Sequence, residues 1–214
     1  MIAQVSDARD PQHQGRVKLT FPWLSEDYVS DWARTVHAGA GKDRGHQILP
    51  EVGDEVLVAF ERGDLRRPYV IGGLFNGTDT PPKGPVEEVD SGSGAINRRS
   101  WVSRRGHRID LLDQEGKKDG ISVVSGDDRL RLVLDATATS VTLHSDGSIT
   151  AEAKNGVTID AGTGSLTMLG QDISLTAKAG LSLQGATATM AGSAQAEISG
   201  GATTTITGGL VRIN

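Results

Sequence analysis

Val157-Thr158-Ile159-Asp160-Ala161, Leu166-Thr167-Met168, Ile173-Ser174-Leu175-Thr176-Ala177 and Leu181-Ser182-Leu183 alternate apolar with polar residues. Period two is the signature of short strands with one covered face. Val141-Thr142-Leu143-His144 and Ile149-Thr150-Ala151-Glu152-Ala153 precede them with the same alternation. The units start about eight residues apart, separated by Gly147, Gly156, Gly162, Gly164, Gly170 and Gly180, where sharp corners need a residue free of Cβ. An eight-residue unit cannot close a coil around its own core. Its apolar row must therefore be covered by the same row from identical neighbours, which predicts an intertwined β-prism. In this register Ile149, Val157, Ile159, Leu166, Ile173 and Leu175, then Leu181 and Leu183, face the axis, while Thr158, Ser174, Thr176 and Ser182 face water.

Working outward, the chain after Trp101 contains no aromatic residue, no proline and no cysteine. An interior too narrow for rings and a backbone committed to hydrogen-bonded ladders account for that composition. Beyond Gly185 the pattern thins into Ala, Thr, Gly and Ser, consistent with a tapering cross-section, and apolar residues return at Ile198, Ile206, Leu210, Val211 and Ile213. Sustained alternation separates the segment from disordered low-complexity sequence. The hexapeptide period and the calcium-binding Gly-Gly-x-Gly-x-Asp nonapeptide are both missing.

The N-terminal part is different. All the aromatics and prolines of the 214-residue chain lie in residues 1–101. Arg16–Phe21, Trp32–Val36, Glu55–Phe60 and Pro68–Leu74 read as strands, with Gly53-Asp54 and Gly63-Asp64 as turns around the third. Several short strands without a helical period predict a small closed barrel of OB type.

A net charge of −5 argues against a broad nucleic-acid footprint. With no cysteine, disulfides and thiolate metal sites are excluded. Met1–Asp7 lacks a basic stretch followed by an apolar one, so secretion by signal peptide is not expected, and no run approaches membrane-spanning length.

Gly15-Arg16-Val17-Lys18-Leu19-Thr20-Phe21-Pro22-Trp23-Leu24, Leu49-Pro50-Glu51-Val52-Gly53-Asp54-Glu55-Val56-Leu57-Val58-Ala59-Phe60 and Gly63-Asp64-Leu65-Arg66-Arg67-Pro68-Tyr69-Val70-Ile71-Gly72 resemble the OB domain of the central spike proteins of contractile injection systems. These are the VgrG proteins, the phage baseplate assembly protein V group and their extracellular phage-tail-like relatives. Ser103-Arg104-Arg105-Gly106-His107-Arg108-Ile109 and Ile206–Asn214 are similar to the start and tip of that family's triple-stranded β-helix. The resemblance implies a homotrimeric needle, assembled in the cytoplasm as part of an injection particle that is fired or released, with hub, tube and baseplate proteins as partners and transient contact with a target membrane. It also implies that a small conical protein of the PAAR-repeat type caps the far end, at Leu210, Val211, Arg212, Ile213 and Asn214. The family's usual hub domain before the barrel has no counterpart in the sequence, so a C-terminal fragment or a short variant is expected. No muramidase-like insertion separates barrel from needle; Asp79–Asn97 reads as a linker rich in Pro, Gly, Ser and Glu.

Gly39-Ala40-Gly41-Lys42-Asp43 lacks the first glycine and the Ser/Thr of a phosphate loop and reads as a surface loop. Phe21, Trp23, Trp32 and Tyr69, with Arg62, Arg66 and Arg67, are stacking and phosphate candidates for nucleic acid, set against a role for the rings in core or trimer contacts. Glu87-Glu88 and Asp127-Asp128 read as solvated charge. His13, His37, His46, His107 and His144 show no metal-ligand spacing. No serine elbow and no thiol nucleophile are present.

The sequence thus predicts an all-β, non-enzymatic spike with no cofactor, catalytic site or metal: an OB domain at 1–78, a linker at 79–100 and a β-helical needle at 101–214. No nucleic-acid partner is expected. Two rivals predict ligand binding by a monomer: an OB module for nucleic acid or glycan on a β-solenoid stalk, and a β-helical polysaccharide-cleaving enzyme.

Overall fold

The computed structural model describes residues 1–212 and divides into two units, Met1–Thr150 and Ala151–Asn214. The protein is all-β. Strands β1 (Ile2–Asp7), β2 (Lys18–Phe21), β3 (Ser25–Val29), β4 (Arg34–Thr35), β5 (Ala40–Gly41), β6 (Arg44–Gly45), β7 (Glu55–Phe60) and β8 (Pro68–Gly73) lie in the N-terminal part. β9 (Arg98–Val102), β10 (Arg108–Gln114), β11 (Lys118–Val124), β12 (Leu130–Asp135) and β13 (Ser140–Ser145) follow.

Alternation sends Ala3 and Val5 of β1, Leu19 and Phe21 of β2, Val56 and Val58 of β7 and Val70 of β8 into one core, joined by Val17 and Ala33. Phe21 is its centre, with the rings of Trp23, Tyr28 and Phe60 at 5.7–5.9 Å. The sheet runs β3-β2-β1-β7-β8-β4, with β4 parallel to β8. It then closes on itself. Val17 and Ala33 exchange both backbone hydrogen bonds, at 3.0 and 2.8 Å, and the Ser30 N–H reaches the Leu19 carbonyl at 2.8 Å. Register shifts at Val5/Asp7, Thr20/Phe21 and Leu57/Val58 supply the local bends that a small barrel needs. The strands expected from Arg16, Trp32, Glu55 and Pro68 are β2, β4, β7 and β8, and the sequence reading did not mark β1 and β3.

The loop before β2 is held by a buried carboxylate. Asp10 accepts from the backbone N–H groups of Gln12, Gln14 and Arg16 and pairs with the Arg16 guanidinium at 2.6 Å. That guanidinium holds the Asp10 carboxyl well below the usual carboxylate range, against the opposing effect of burial and with the backbone donors adding to it.

β9 to β13 form a second sheet, an antiparallel meander in sequence order. β9 starts at Arg98, within the stretch read as linker. Upstream, Val89 and Ile96 form a bridge, and the Asn97 N–H reaches the Glu88 carbonyl at 2.8 Å.

From Ala151 onward the backbone changes character. Among the described residues this segment contains no strand, every residue is exposed, and its one backbone–backbone hydrogen bond is Gly164 N–H to the Ala161 carbonyl at 2.8 Å. Among the described residues, the alternating units from Val157 onward form no strand pairing within their own chain, whereas Val141–His144 is paired as β13 with β12.

Candidate functional site

Two faces of the β9–β13 sheet carry opposite chemistry. Register places Trp101, Ile109, Val123, Leu132 and Leu143 in one cross-strand row. The row beside it is Leu111, Ile121, Leu134 and Val141. These nine side chains share one face, because residues two apart on a strand point the same way. They remain between 37 % and 71 % exposed. A groove of about 1290 Å³ runs along the first row and is also bordered by Ile48, Phe75 and Ile149. Contiguous exposed apolar surface of this kind marks an interaction site.

The opposite face is polar and buried around Asp110. Asp110, 1 % exposed, accepts from Arg108 Nε at 2.6 Å, from Arg108 Nη2 at 2.8 Å and from the Ser100 hydroxyl. Arg98, itself buried, lies 3.9 Å from the same carboxylate and donates to Ser100 Oγ at 2.6 Å. Both arginines reach outward to the preceding segment: Arg98 Nη2 donates to the Pro82 carbonyl and Arg108 Nη1 to the Lys83 carbonyl, each at 2.8 Å. Lys118 Nζ reaches the Pro85 carbonyl at 3.3 Å. Burial pushes the Asp110 carboxyl up, but the hydrogen bonds from Arg108 and Ser100 and the charges of Arg108 and Arg98 outweigh it, so the group titrates below the usual carboxylate range. This ionic knot fastens residues 82–85 over the sheet. The sequence reading missed it, since Arg98 and Asp110 meet only through the β9–β10 register.

The residues assigned to the needle core, Ile149, Val157, Ile159, Leu166, Ile173 and Leu175, with Leu181 and Leu183, are 54–73 % exposed in the single chain. At the expected docking end Leu210, Val211 and Arg212 are exposed, and Ile213 and Asn214 lie outside the described residues.

The barrel rings are already engaged. Phe21 is 1 % exposed and fills the core. Trp23 donates its indole N–H to the Ile2 carbonyl at 2.7 Å. The Lys18 ammonium sits 5.3 Å from the Trp32 ring centre. Arg34 lies 4.8 Å from the Tyr69 ring centre and donates to its hydroxyl at 2.6 Å. The nearby cations are paired as well, Arg66 with Asp64 at 3.0 Å and Arg67 with Glu61 at 3.6 Å, while Arg62 occupies a turn at φ 53°.

The glycine-rich stretch at 39–45 is the β5–β6 hairpin, turning at Lys42 and Asp43 with Asp43 at φ 53°. A strand–turn–strand offers no helix N-terminus for a phosphate. Glu87 and Glu88 are exposed. Asp127 caps the β11–β12 turn, accepting from the Ser125 hydroxyl and the Arg129 N–H, and these two bonds lower its pKa. His107 Nδ1 accepts from the Gly126 N–H at 3.1 Å, and His144 Nε2 lies 3.0 Å from Asp146. The His46 ring lies 5.8 Å from that of Trp101. Among the described residues no group of three or more His, Cys, Asp or Glu is placed to hold a metal ion, and no helix is long and apolar enough to cross a membrane.

Residues 1–75 match the family described as type VI secretion system/phage-baseplate injector OB domain. The type VI secretion system spike protein VgrG1a of Pseudomonas aeruginosa is 32 % identical over 107 residues, 48 % of this chain and 17 % of its own length. VgrG2a of the same organism is 39 % identical over 72 residues, covering 32 % of this chain and 9 % of its own length. VgrG3 of Vibrio cholerae matches to the same extent, over 7 % of its length. The chain thus matches less than a fifth of the length of these curated relatives.

Proposed function

Residues 1–75 being an injector OB domain related to those of VgrG spike proteins, we infer that this chain is the needle-bearing part of the central spike of a contractile injection system, of phage-tail-like or type VI kind. Three copies assemble about one axis. The barrels form a collar and the repeats form a stiff needle, which transmits the force of sheath contraction to a target envelope without enzymatic chemistry. The observation that carries this reading is an injector-type barrel followed by repeats whose units from Val157 onward have, among the described residues, no strand partner in their own chain. Buried backbone groups must be paired, so a folded needle requires other chains.

The barrel seats against hub, tube and baseplate proteins in an injection particle assembled in the cytoplasm. Leu210 to Asn214 form the platform for a PAAR-like tip protein. Open β-prism ends expose apolar side chains and unpaired backbone groups from every chain, the kind of surface a capping protein covers.

Deleting the gene in its source genome and examining the producing cells by electron microscopy tests the assignment. Loss of assembled sheath–tube particles, restored by the intact gene, is expected; undiminished assembly and firing would refute it. For the tip, co-expressed PAAR-like protein should be captured by the full chain and not by one lacking residues 211–214.

A further inference from the structure

We propose that Asn155 is a site of spontaneous covalent modification, losing its side-chain amide to become aspartate and isoaspartate in the folded protein, while the other Asn-Gly dipeptide of the chain is protected by its own hydrogen bonds. The site belongs to the single chain and to the needle alike, because Asn155 lies between alternating units and not within one.

The chemistry needs an asparagine followed by glycine and water. The glycine backbone nitrogen gives up its proton to hydroxide and attacks the asparagine side-chain carbon Cγ. The new C–N bond closes a five-membered ring, and the side-chain nitrogen leaves as ammonia. Water then opens the cyclic imide at one of its two carbonyls. One opening gives aspartate; the other gives isoaspartate, in which the main chain runs through the side-chain methylene. The net change is water in and ammonia out, with nothing oxidised or reduced. Glycine matters because a nitrogen beside a residue without Cβ is unscreened. What then sets the rate is the freedom of the asparagine amide to turn toward that nitrogen.

The sequence has two such dipeptides, Asn76-Gly77 and Asn155-Gly156. Both glycines are equally open, with no atom within 4 Å of where a Cβ would stand. The asparagines differ. Asn76 is half-buried, and its Oδ1 accepts from the Thr78 N–H at 2.8 Å and the Asp79 N–H at 2.7 Å. Its Nδ2 donates to Glu55 Oε2 and to Asp79 Oδ2, each at 3.4 Å. The Asn76 N–H is bonded in turn to the Asp79 carbonyl at 2.9 Å, so backbone and side chain are tied into one turn. Ring closure must break the amide's bonds before Cγ can meet the Gly77 nitrogen. Asn155 is exposed, and among the described residues its amide makes no hydrogen bond. The backbone bends at Lys154 and Asn155, and Gly156 stands at φ 154°. Units 149–153 and 157–161 flank this corner. Strand ladders engage the units and leave the corner in water. A new carboxylate, or the extra main-chain methylene of isoaspartate, is therefore accommodated there in every copy without breaking a ladder.

Incubation of the purified full chain at mildly alkaline pH and body temperature, followed by digestion with a glutamate-specific protease and mass spectrometry, tests the proposal. Cleavage after Glu152 leaves Asn155 internal to its peptide. Conversion of amide to acid at Asn155 at least tenfold faster than at Asn76 is expected, appearing as two separable peptides of one mass. In guanidinium chloride sufficient to unfold the chain the two rates should converge, because the protection of Asn76 belongs to the fold. Conversion at Asn76 as fast as at Asn155 in the folded protein would overturn the proposal. So would a difference that persists in denaturant, which would place its cause in the neighbouring sequence. No conversion at Asn155, whatever the mass of the particle by light scattering, would overturn it as well; rapid conversion in a particle of one chain would refute the needle and leave this site standing.

Discussion

Replacing Asp110 with alanine removes the only carboxylate within the knot that fastens residues 82–85 to the β9–β13 sheet. The change deletes two hydrogen bonds from Arg108 and one from Ser100, and leaves the buried Arg98 guanidinium without the negative charge 3.9 Å away. Truncating one member of a buried ion pair costs about 3–5 kcal/mol, most of it from the charge left behind. Among the described residues the Pro82 and Lys83 carbonyls are held by Arg98 and Arg108, so the cost appears first as opening of that segment. Trypsin cleavage after the exposed Lys83 reads the opening directly. Where closing outpaces cleavage, the rate follows the open population. About 3 kcal/mol corresponds to roughly a hundredfold faster cleavage. Asp110→Asn, which keeps an acceptor for Ser100 but no charge, should fall between wild type and alanine. Cleavage at the wild-type rate in Asp110→Ala would refute the claim that this carboxylate holds the segment down.

Asp10 and Asp110 have folded pKa values below the unfolded value of about 3.9, so their contribution is complete above roughly pH 4 and is lost as pH falls through the folded values; acid titration should show stability declining below that point, and a flat profile down to pH 2 would contradict the assignment. Phe21→Ala empties the centre of the barrel and should cost about 3–5 kcal/mol in urea denaturation, a shift below about 1 kcal/mol being inconsistent with a ring at the core. Ile173→Asp places a carboxylate from each copy at the axis and should abolish assembly as judged by sedimentation, whereas Thr176→Asp should leave it intact; equal tolerance would reject the register.

The barrel was legible where alternation meets turn chemistry: β2, β7 and β8 carry Leu19, Phe21, Val56, Val58 and Val70 at period two, and Gly53-Asp54 and Gly63-Asp64 flank β7. β1 was hidden because its inward residues are the small Ala3 and Val5 while the apolar Ile2 faces outward, and β3 because Ser25, Glu26 and Asp27 offer no apolar alternation. The strands β10 and β11 are not among those read from the sequence, although Ile109-Asp110-Leu111 and Ile121-Ser122-Val123 alternate within them. Alternation does not reveal which face is covered, since covering Asp110 rather than its apolar neighbours depends on where Arg98 and the Pro82 carbonyl arrive. Composition makes 79–100 read as linker, yet Asn97 and Arg98 are buried there through contacts distant in sequence. The glycine-rich hairpin was readable as a surface turn because the residues a phosphate loop requires are missing.

The repeats beyond β13 fold only by pairing between chains, and the mass of the purified full chain by light scattering tests this most directly. The account predicts a single species of three times 22.5 kDa, with the strand signal of the needle lost when that species dissociates. A monodisperse, fully folded particle of 22.5 kDa would contradict it.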